Sequence, residues 1–224
     1  MKKRGILLLI LISTVLLGGV AGSLLWKPDP MELLTHGLEE LNQATSFRYT
    51  MIQHQTVEGK DRLLNHILGE KEGGNTRISG EILGTKTEMV LTQEGLHMQD
   101  PFTKRWIRYP NVPAAHEVFL AELNPLSALQ FKEYGEVVLE GQEKLDKVKT
   151  WVLKFKPTVQ NQVMENGWTD FSYIVFIGKR DKLIHRVIIE AKSKTNNSQL
   201  ALTMDFQDYG ETFNIQVPIA EQVR

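Results

Sequence analysis

Residues 199–206 read QLALTMDF, and within this stretch Leu200, Leu202, Met204 and Phe206 alternate with mostly polar positions. Successive side chains of a β-strand point to opposite faces of the sheet, so a period of two is typical of a strand with one buried face. The stretch therefore predicts a half-buried β-strand, and the fold class depends on how often the same pattern recurs.

The same period of two recurs along most of the chain. The further segments are 47–57, 62–69, 75–83, 86–93, 96–99, 106–109, 136–139, 147–156, 172–178 and 183–191. Several are separated only by short breaks such as Gly73-Gly74 and Glu94-Gly95. Parallel strands need crossovers of about a dozen residues or more, so this spacing predicts an antiparallel sheet of about ten or eleven strands.

Two segments carry helical signals instead. Asp29 can cap a helix that has Pro30 at its first position, which predicts a helix over residues 30–44. Its inward face at helical spacing would be formed by Met31, Leu34, Leu38 and Leu41. Asn124 and Pro125 repeat the capping signal inside an insertion at 111–136. The fold class is therefore α+β, with helices packed on one face of a large antiparallel sheet.

Composition and charge narrow the classes of partner. The 224 residues suit one domain, which we place at 31–224 after a short linker at 27–30. Residues 2–4 are all basic, and the rest of the chain holds 23 basic and 27 acidic residues, a balance of −4. A weakly acidic domain lacks the positive surface that nucleic acid binding requires. The absence of cysteine excludes disulfides, thiol catalysis and a lipid-modified cysteine.

The N-terminus predicts export. Residues 5–26 contain no charge and are long enough to cross a hydrocarbon core of about 30 Å as a helix. The basic residues 2–4 would stay in the cytoplasm, leaving the C-terminal domain outside. We expect a single-pass signal anchor in the cell membrane, with Trp26 at the interface. The alternative is a signal peptide cleaved near Ala21, which would release a secreted domain.

Several phrases resemble the LolA-like superfamily, which includes periplasmic lipoprotein carriers and mycobacterial lipoproteins of the LppX/LprG type. They are MQDP at 98–101 with KRW at 104–106, NPLSAL at 124–129, VKTWVL at 148–153, DKLIHRV at 181–187, FQDYGE at 206–211 and IQVP at 215–218. None is a catalytic signature, and their order extends over residues 31–218. The chain departs from the mycobacterial type because it has no lipobox cysteine.

The resemblance implies a strongly curved sheet, a half-barrel, whose concave face holds an apolar cavity covered by helices and used for acyl chains. Apolar and thioether side chains in the predicted strands are candidates for the cavity lining or for ordinary core packing. They are Phe47, Tyr49, Met51, Ile78, Ile82, Met89, Leu91, Met98, Trp106 and Met204. The helical insertion supplies a candidate lid, or a permanently docked cover, formed by Phe119, Leu120, Leu123, Leu126 and Leu129.

Catalytic chemistry has little support in the sequence. It has no metalloprotease, nucleophile-elbow, P-loop or dinucleotide-binding motif. His54 and His66 could face each other across a hairpin, but no third metal ligand is evident. We therefore expect neither an enzyme nor a cofactor or metal.

The leading hypothesis is binding of a hydrophobic ligand, a lipid or a lipoprotein acyl chain, in the cell envelope. One alternative is a sensor module that binds a partner membrane protein, since the cytoplasmic tail is too short for a signalling domain of its own. A hydrolase without a recognisable motif is the third possibility.

Overall fold

The computed structural model describes residues 27–112, 114–219 and 221–222. One large sheet dominates it. The strands are β1 (Ser46–Val57), β2 (Lys60–Glu72), β3 (Asn75–Ile82), β4 (Thr85–Thr92), β5 (Gly95–Gln99), β6 (Trp106–Tyr109), β7 (Phe131–Glu133), β8 (Val138–Leu145), β9 (Val148–Phe155), β10 (Thr158–Val159), β11 (Trp168–Gly178), β12 (Ile184–Ser193), β13 (Gln199–Gln207) and β14 (Glu221–Gln222). The helices are α1 (Pro30–Gln43), α2 (Ala114–Leu123), a 3₁₀ helix (Pro125–Leu129) and α3 (Gln162–Gly167).

The large sheet joins two antiparallel meanders. Its strand order is β14-β6-β5-β4-β3-β2-β1-β13-β12-β11-β9-β8, while β7 and β10 pair separately. The halves meet where β1 runs antiparallel to β13, from Arg48 opposite Gln207 to Thr56 opposite Gln199. The short β14 lies parallel to β6, and the other eleven strands of this sheet pair antiparallel. The outermost strands β14 and β8 are not paired with each other, so the sheet is open.

The turns between neighbouring strands follow from local sequence. Leu83 and Gly84, between β3 and β4, both have positive φ angles of 49° and 76°. This geometry matches the right-handed twist of the strands that it joins. The predicted antiparallel sheet of about ten or eleven strands is confirmed.

Helix α1 packs against β11 and β12. Asp29 caps it, since its Oδ1 accepts a hydrogen bond of 2.9 Å from the backbone N–H of Glu32. Gly37 permits close packing, because a Cβ there would lie 3.2 Å from side-chain atoms of Ile177 and Ile184. The predicted helix at 30–44 is thus confirmed. Its predicted face is wrong at one position, because Met31 is 37% exposed while Leu33 is buried.

The chain departs from the sequence prediction mainly where the alternation is interrupted. The strand predicted at 136–139 is β8 at Val138–Leu145, an edge strand whose mostly polar side chains hide the period of two. The strand predicted to begin at 172 begins at Trp168, because the pairing of β11 with β12 shifts register around Asp170, which has a φ of 54°. Helix α3 was not predicted, although Asn161 caps it through its side chain.

The proposed anchor or signal peptide at residues 1–26 lies outside the described residues. Within 27–112, 114–219 and 221–222, no helix combines the length and the apolar character that a membrane span requires.

Candidate ligand cavity

The face of the large sheet that carries Phe47, Tyr49 and Met51 is called here the inner face. Residues opposite each other in an antiparallel ladder share a face, so the pairings of β1 to β5 extend this face across the N-terminal meander. One row of opposed residues runs Tyr49, Gly69, Ile78, Met89 and Met98. The neighbouring row runs Phe47, Lys71, Thr76, Leu91 and Leu96.

A cavity of about 330 Å³ lies between these two rows and the segment formed by α2 and the 3₁₀ helix. Its apolar wall consists of Phe47, Tyr49, Ile78, Met89, Leu91, Leu120, Ala121, Pro125 and Leu126. Its polar wall consists of Lys71, Thr76 and Asn124. The cavity is therefore mostly apolar, with a small group of polar side chains on one side.

The inner face is filled differently in the two halves of the sheet. In the C-terminal half, α1 packs on β11 and β12, and the rings of Phe131, Phe155 and Tyr173 contact one another with centroids 5.1 to 5.5 Å apart. The cavity lies in the N-terminal half, under α2 and the 3₁₀ helix. There the missing side chain of Gly69 leaves room for the ring of Tyr49, whose Cζ would lie 2.0 Å from a Cβ at that position.

Two buried tyrosines fasten the covering segment to the sheet. The hydroxyl of Tyr49 donates a hydrogen bond of 3.2 Å to the carbonyl oxygen of Leu123, and that of Tyr173 donates one of 2.8 Å to Ala128. Burial raises the pKa of both Tyr49 and Tyr173, so both phenols stay protonated and can donate. The segment is thus fixed at the end of α2 and near the end of the 3₁₀ helix.

The predicted lid residues fall into two groups. Leu123 and Leu129 are buried in the core, which agrees with a docked cover at these positions. Phe119, Leu120 and Leu126 are half-buried, and of these Leu120 and Leu126 line the cavity. Asn124 caps the 3₁₀ helix as predicted, with its Oδ1 accepting from the N–H of Leu126 at 3.1 Å.

The structure brings together half of the predicted lining. Phe47, Tyr49, Ile78, Met89 and Leu91 line the cavity. Met51, Ile82 and Met204 are buried in the core and do not line it, and Met98 packs against the core from β5. These side chains fill space, as the core-packing alternative expects.

Trp106, a further candidate for the lining, does not line this cavity. Trp106 lies opposite Gln99, which is adjacent along β5 to Met98 on the inner face. Because successive residues of a strand alternate between faces, Trp106 lies on the opposite face, called here the outer face.

The cavity residues that the sequence reasoning missed include Lys71 and Thr76. Lys71 follows the predicted strand 62–69, whose end is disguised by the polar run Glu70-Lys71-Glu72.

Two larger grooves have a different character. One, of about 860 Å³, is lined by charged residues including Lys154, Glu165, Asp170 and Lys192. The other, of about 620 Å³, has walls that include Lys86 and Glu88 and belongs to the outer face. Pockets for small apolar ligands are mostly apolar with few polar groups, so the smaller cavity is the better candidate.

The histidine pair does not form. A register shift between Gln53 and His54 places His66 opposite Ile52 and His54 opposite Leu63. Nδ1 of His54 lies 2.7 Å from Oδ2 of Asp61 instead. Within the part of the chain that the structure describes, no three potential ligands group around a metal position.

Solved structures provide the comparison with known proteins. The lipoprotein LppX from Mycobacterium tuberculosis superposes with a TM-score of 0.60 at 12% identity, covering 84% of this chain and 100% of LppX. LprF from Mycobacterium bovis gives 0.58 at 12% identity, covering 86% of this chain and 99% of LprF. The chain has the fold of LppX and LprF.

This shared fold agrees with the fold that the resemblance noted in the sequence implies. A LolA superfamily protein from Nitrosomonas europaea superposes less closely, with a TM-score of 0.35 at 10% identity over 81% of this chain and 93% of that protein. No protein-family model matches the sequence, and neither does any curated protein. The similarity to LppX and LprF is therefore one of fold.

Proposed function

We propose that this protein binds a hydrophobic ligand, a lipid or a lipoprotein acyl chain, on the outer side of the cytoplasmic membrane and catalyses no reaction. The observation that carries the proposal is the mostly apolar cavity of about 330 Å³ under α2 and the 3₁₀ helix. Each methylene group buried there would contribute about 0.8 kcal/mol to binding. Binding of this kind needs volume and apolar walls, which explains why the sequence carries no catalytic motif.

Three further observations support the proposal. The fold is shared with two mycobacterial proteins, LprF and the lipoprotein LppX. The resemblance of the sequence to the LolA-like superfamily implies a half-barrel that accommodates acyl chains. The uncharged run at residues 5–26 would tether the domain to the membrane, close to a supply of lipid.

Native mass spectrometry with lipid extraction is the direct test. The full chain would be extracted from its own cell envelope in polymer-bounded lipid discs. The surrounding membrane lipids would then be replaced by one defined lipid, and any native lipid that stays bound to the protein would be identified. We expect one lipid class retained in stoichiometric amount. A protein that retains none and ignores added lipids would contradict the proposal, and repeated co-purification of one membrane protein would favour the sensor alternative.

A matched pair of variants connects retained lipid to the cavity. Leu91→Trp places a large ring at a half-buried position in the cavity wall, and we expect it to abolish retention. Leu63→Trp adds the same ring at an exposed position of β2 and should retain the lipid normally. Equal retention by both variants would place the bound lipid elsewhere.

A further inference from the structure

The polar wall of the cavity consists of hydrogen-bond donors. Lys71 brings an ammonium group, Thr76 a hydroxyl and Asn124 an amide NH₂. Lys71 and Thr76 are directly opposed on β2 and β3 and are half-buried, while Asn124 is exposed at the start of the 3₁₀ helix. The polar wall therefore lies where the cavity meets solvent, and the apolar wall lies deeper.

Lys71 has no anionic partner among the described residues. Its neighbours Glu70 and Glu72 lie on the outer face, where Glu70 forms an ion pair of 3.0 Å with Arg48. Oε1 of Glu72 accepts a hydrogen bond of 3.2 Å from the backbone N–H of Phe213. Both carboxylates are thus engaged on the other side of the sheet, and the charge of Lys71 is left for a group that enters from the cavity side.

The ammonium group is held against the cavity wall. Nζ of Lys71 lies 5.3 Å from the centroid of the Phe47 ring, within the range of a cation–π contact. Phe47 is fully buried and lines the cavity. The effective dielectric constant beside a buried ring is lower than at the open surface. The attraction between this ammonium group and an anion that enters the cavity would therefore be stronger than at the surface.

We propose that the ligand is a single-chain amphiphile with an anionic head group, whose chain occupies the apolar cavity and whose head pairs with Lys71. This inference rests on the proposed function and specifies its ligand class. The volume of about 330 Å³ lies near the lower end of the about 300–1,000 Å³ typical of ligand pockets, which suits one chain. Thr76 and Asn124 would donate to the remaining head-group oxygens.

Photoreactive amphiphiles with the same alkyl chain and different heads test the proposal. The full chain in lipid discs would be labelled with carboxylate, phosphate, alcohol and ammonium probes, and labelled peptides would be identified by mass spectrometry. We expect an anionic probe to label the peptides of β3 and α2 at about tenfold lower concentration than the alcohol probe. A tenfold difference in affinity corresponds to about 1.4 kcal/mol of binding free energy. The stronger of the two anions identifies the head group.

Substitutions assign the preference to Lys71. Lys71→Met should abolish the difference between anion and alcohol, Lys71→Arg should keep it, and Lys144→Met, at an exposed position of the edge strand β8, should leave it unchanged. Thermal unfolding of each variant would verify that it folds. Equal labelling by anionic and neutral probes would overturn the head-group inference and leave the proposed function standing. No labelling of the cavity by any probe would overturn both.

Discussion

The hydroxyl of Tyr49 donates a hydrogen bond to the carbonyl oxygen of Leu123, so one residue both forms the cavity wall and fastens the end of α2 above it. Leu123 is only 1% exposed. Its carbonyl belongs to the last turn of α2, where helical hydrogen bonding ends and another donor is needed. The end of α2 is therefore attached by a hydrogen bond to a residue of the cavity wall.

Tyr49→Phe should destabilise the protein and loosen the cover. The substitution leaves a buried carbonyl without its donor, which costs about 1–3 kcal/mol. We expect a loss of this order in the free energy of unfolding from chemical denaturation. Hydrogen exchange should also accelerate in α2, whose end the phenol holds.

Tyr173→Phe is the control for that change. It removes a comparable hydrogen bond to Ala128 from a residue that does not line the cavity. We expect a similar loss of stability, with unchanged lipid retention and unchanged exchange in α2. Identical exchange in the two variants would mean that Tyr49 does not control the cover.

Introducing a charged residue on α2 tests whether this helix is a movable lid or a permanently docked cover. Leu120→Glu places a carboxylate in the cavity wall at a half-buried position, and we expect it to reduce lipid retention strongly with a modest loss of stability. Val118→Glu is the matched control on the same helix, because Val118 is 52% exposed. Leu123→Glu would instead bury an unpaired charge and unfold the protein. Proportional losses of retention and stability in Leu120→Glu would contradict a lid.

The fold was predictable wherever one period held over a whole element. Residues 199–206 show clean alternation and form β13, and the cap at Asp29 begins α1 as predicted. β8 was misplaced because an edge strand with exposed side chains needs no apolar face. The start of β11 was missed because a bulge at Asp170 shifts the register, and only the three-dimensional pairing reveals it.

The cavity lining was predictable only in part. Alternation assigns Phe47, Tyr49 and Met51 to one face, but it does not say which of them meets a void and which meets the core. Met51 packs opposite Met204 in the middle of the sheet, whereas Phe47 and Tyr49 lie under the covering segment. Lys71 was missed because a charged side chain at the end of a strand resembles an ordinary surface residue in the sequence.

Gly69→Ala should damage both stability and the cavity. A Cβ at this position would lie 2.0 Å from Cζ of Tyr49, so the ring would have to move away from its hydrogen bond with Leu123. Overpacking of this kind costs about 1–3 kcal/mol. Gly141→Ala in β8 is the control, since its Cβ would meet no atom within 4 Å. Retained stability and retained lipid in Gly69→Ala would show that the Tyr49 ring can be displaced without consequence.

The environment of His97 predicts a pH-dependent contribution to stability. It lies on β5, is 2% exposed, and its two ring nitrogens find no hydrogen-bond partner among the described residues. Burial lowers the pKa of His97, the charge of Arg108 opposite it lowers the pKa further, and Glu94 acts in the other direction. The folded protein therefore resists protonation of this ring more than the unfolded chain does.

A histidine with a lowered pKa in the folded state reduces stability as the pH falls through its unfolded value of about 6.5, because the unfolded chain then binds the proton more readily. We expect the free energy of unfolding of the wild type to decrease from neutral to mildly acidic pH, and that of His97→Leu to decrease less. Parallel pH profiles of wild type and His97→Leu in chemical denaturation would show that another group causes the acid sensitivity.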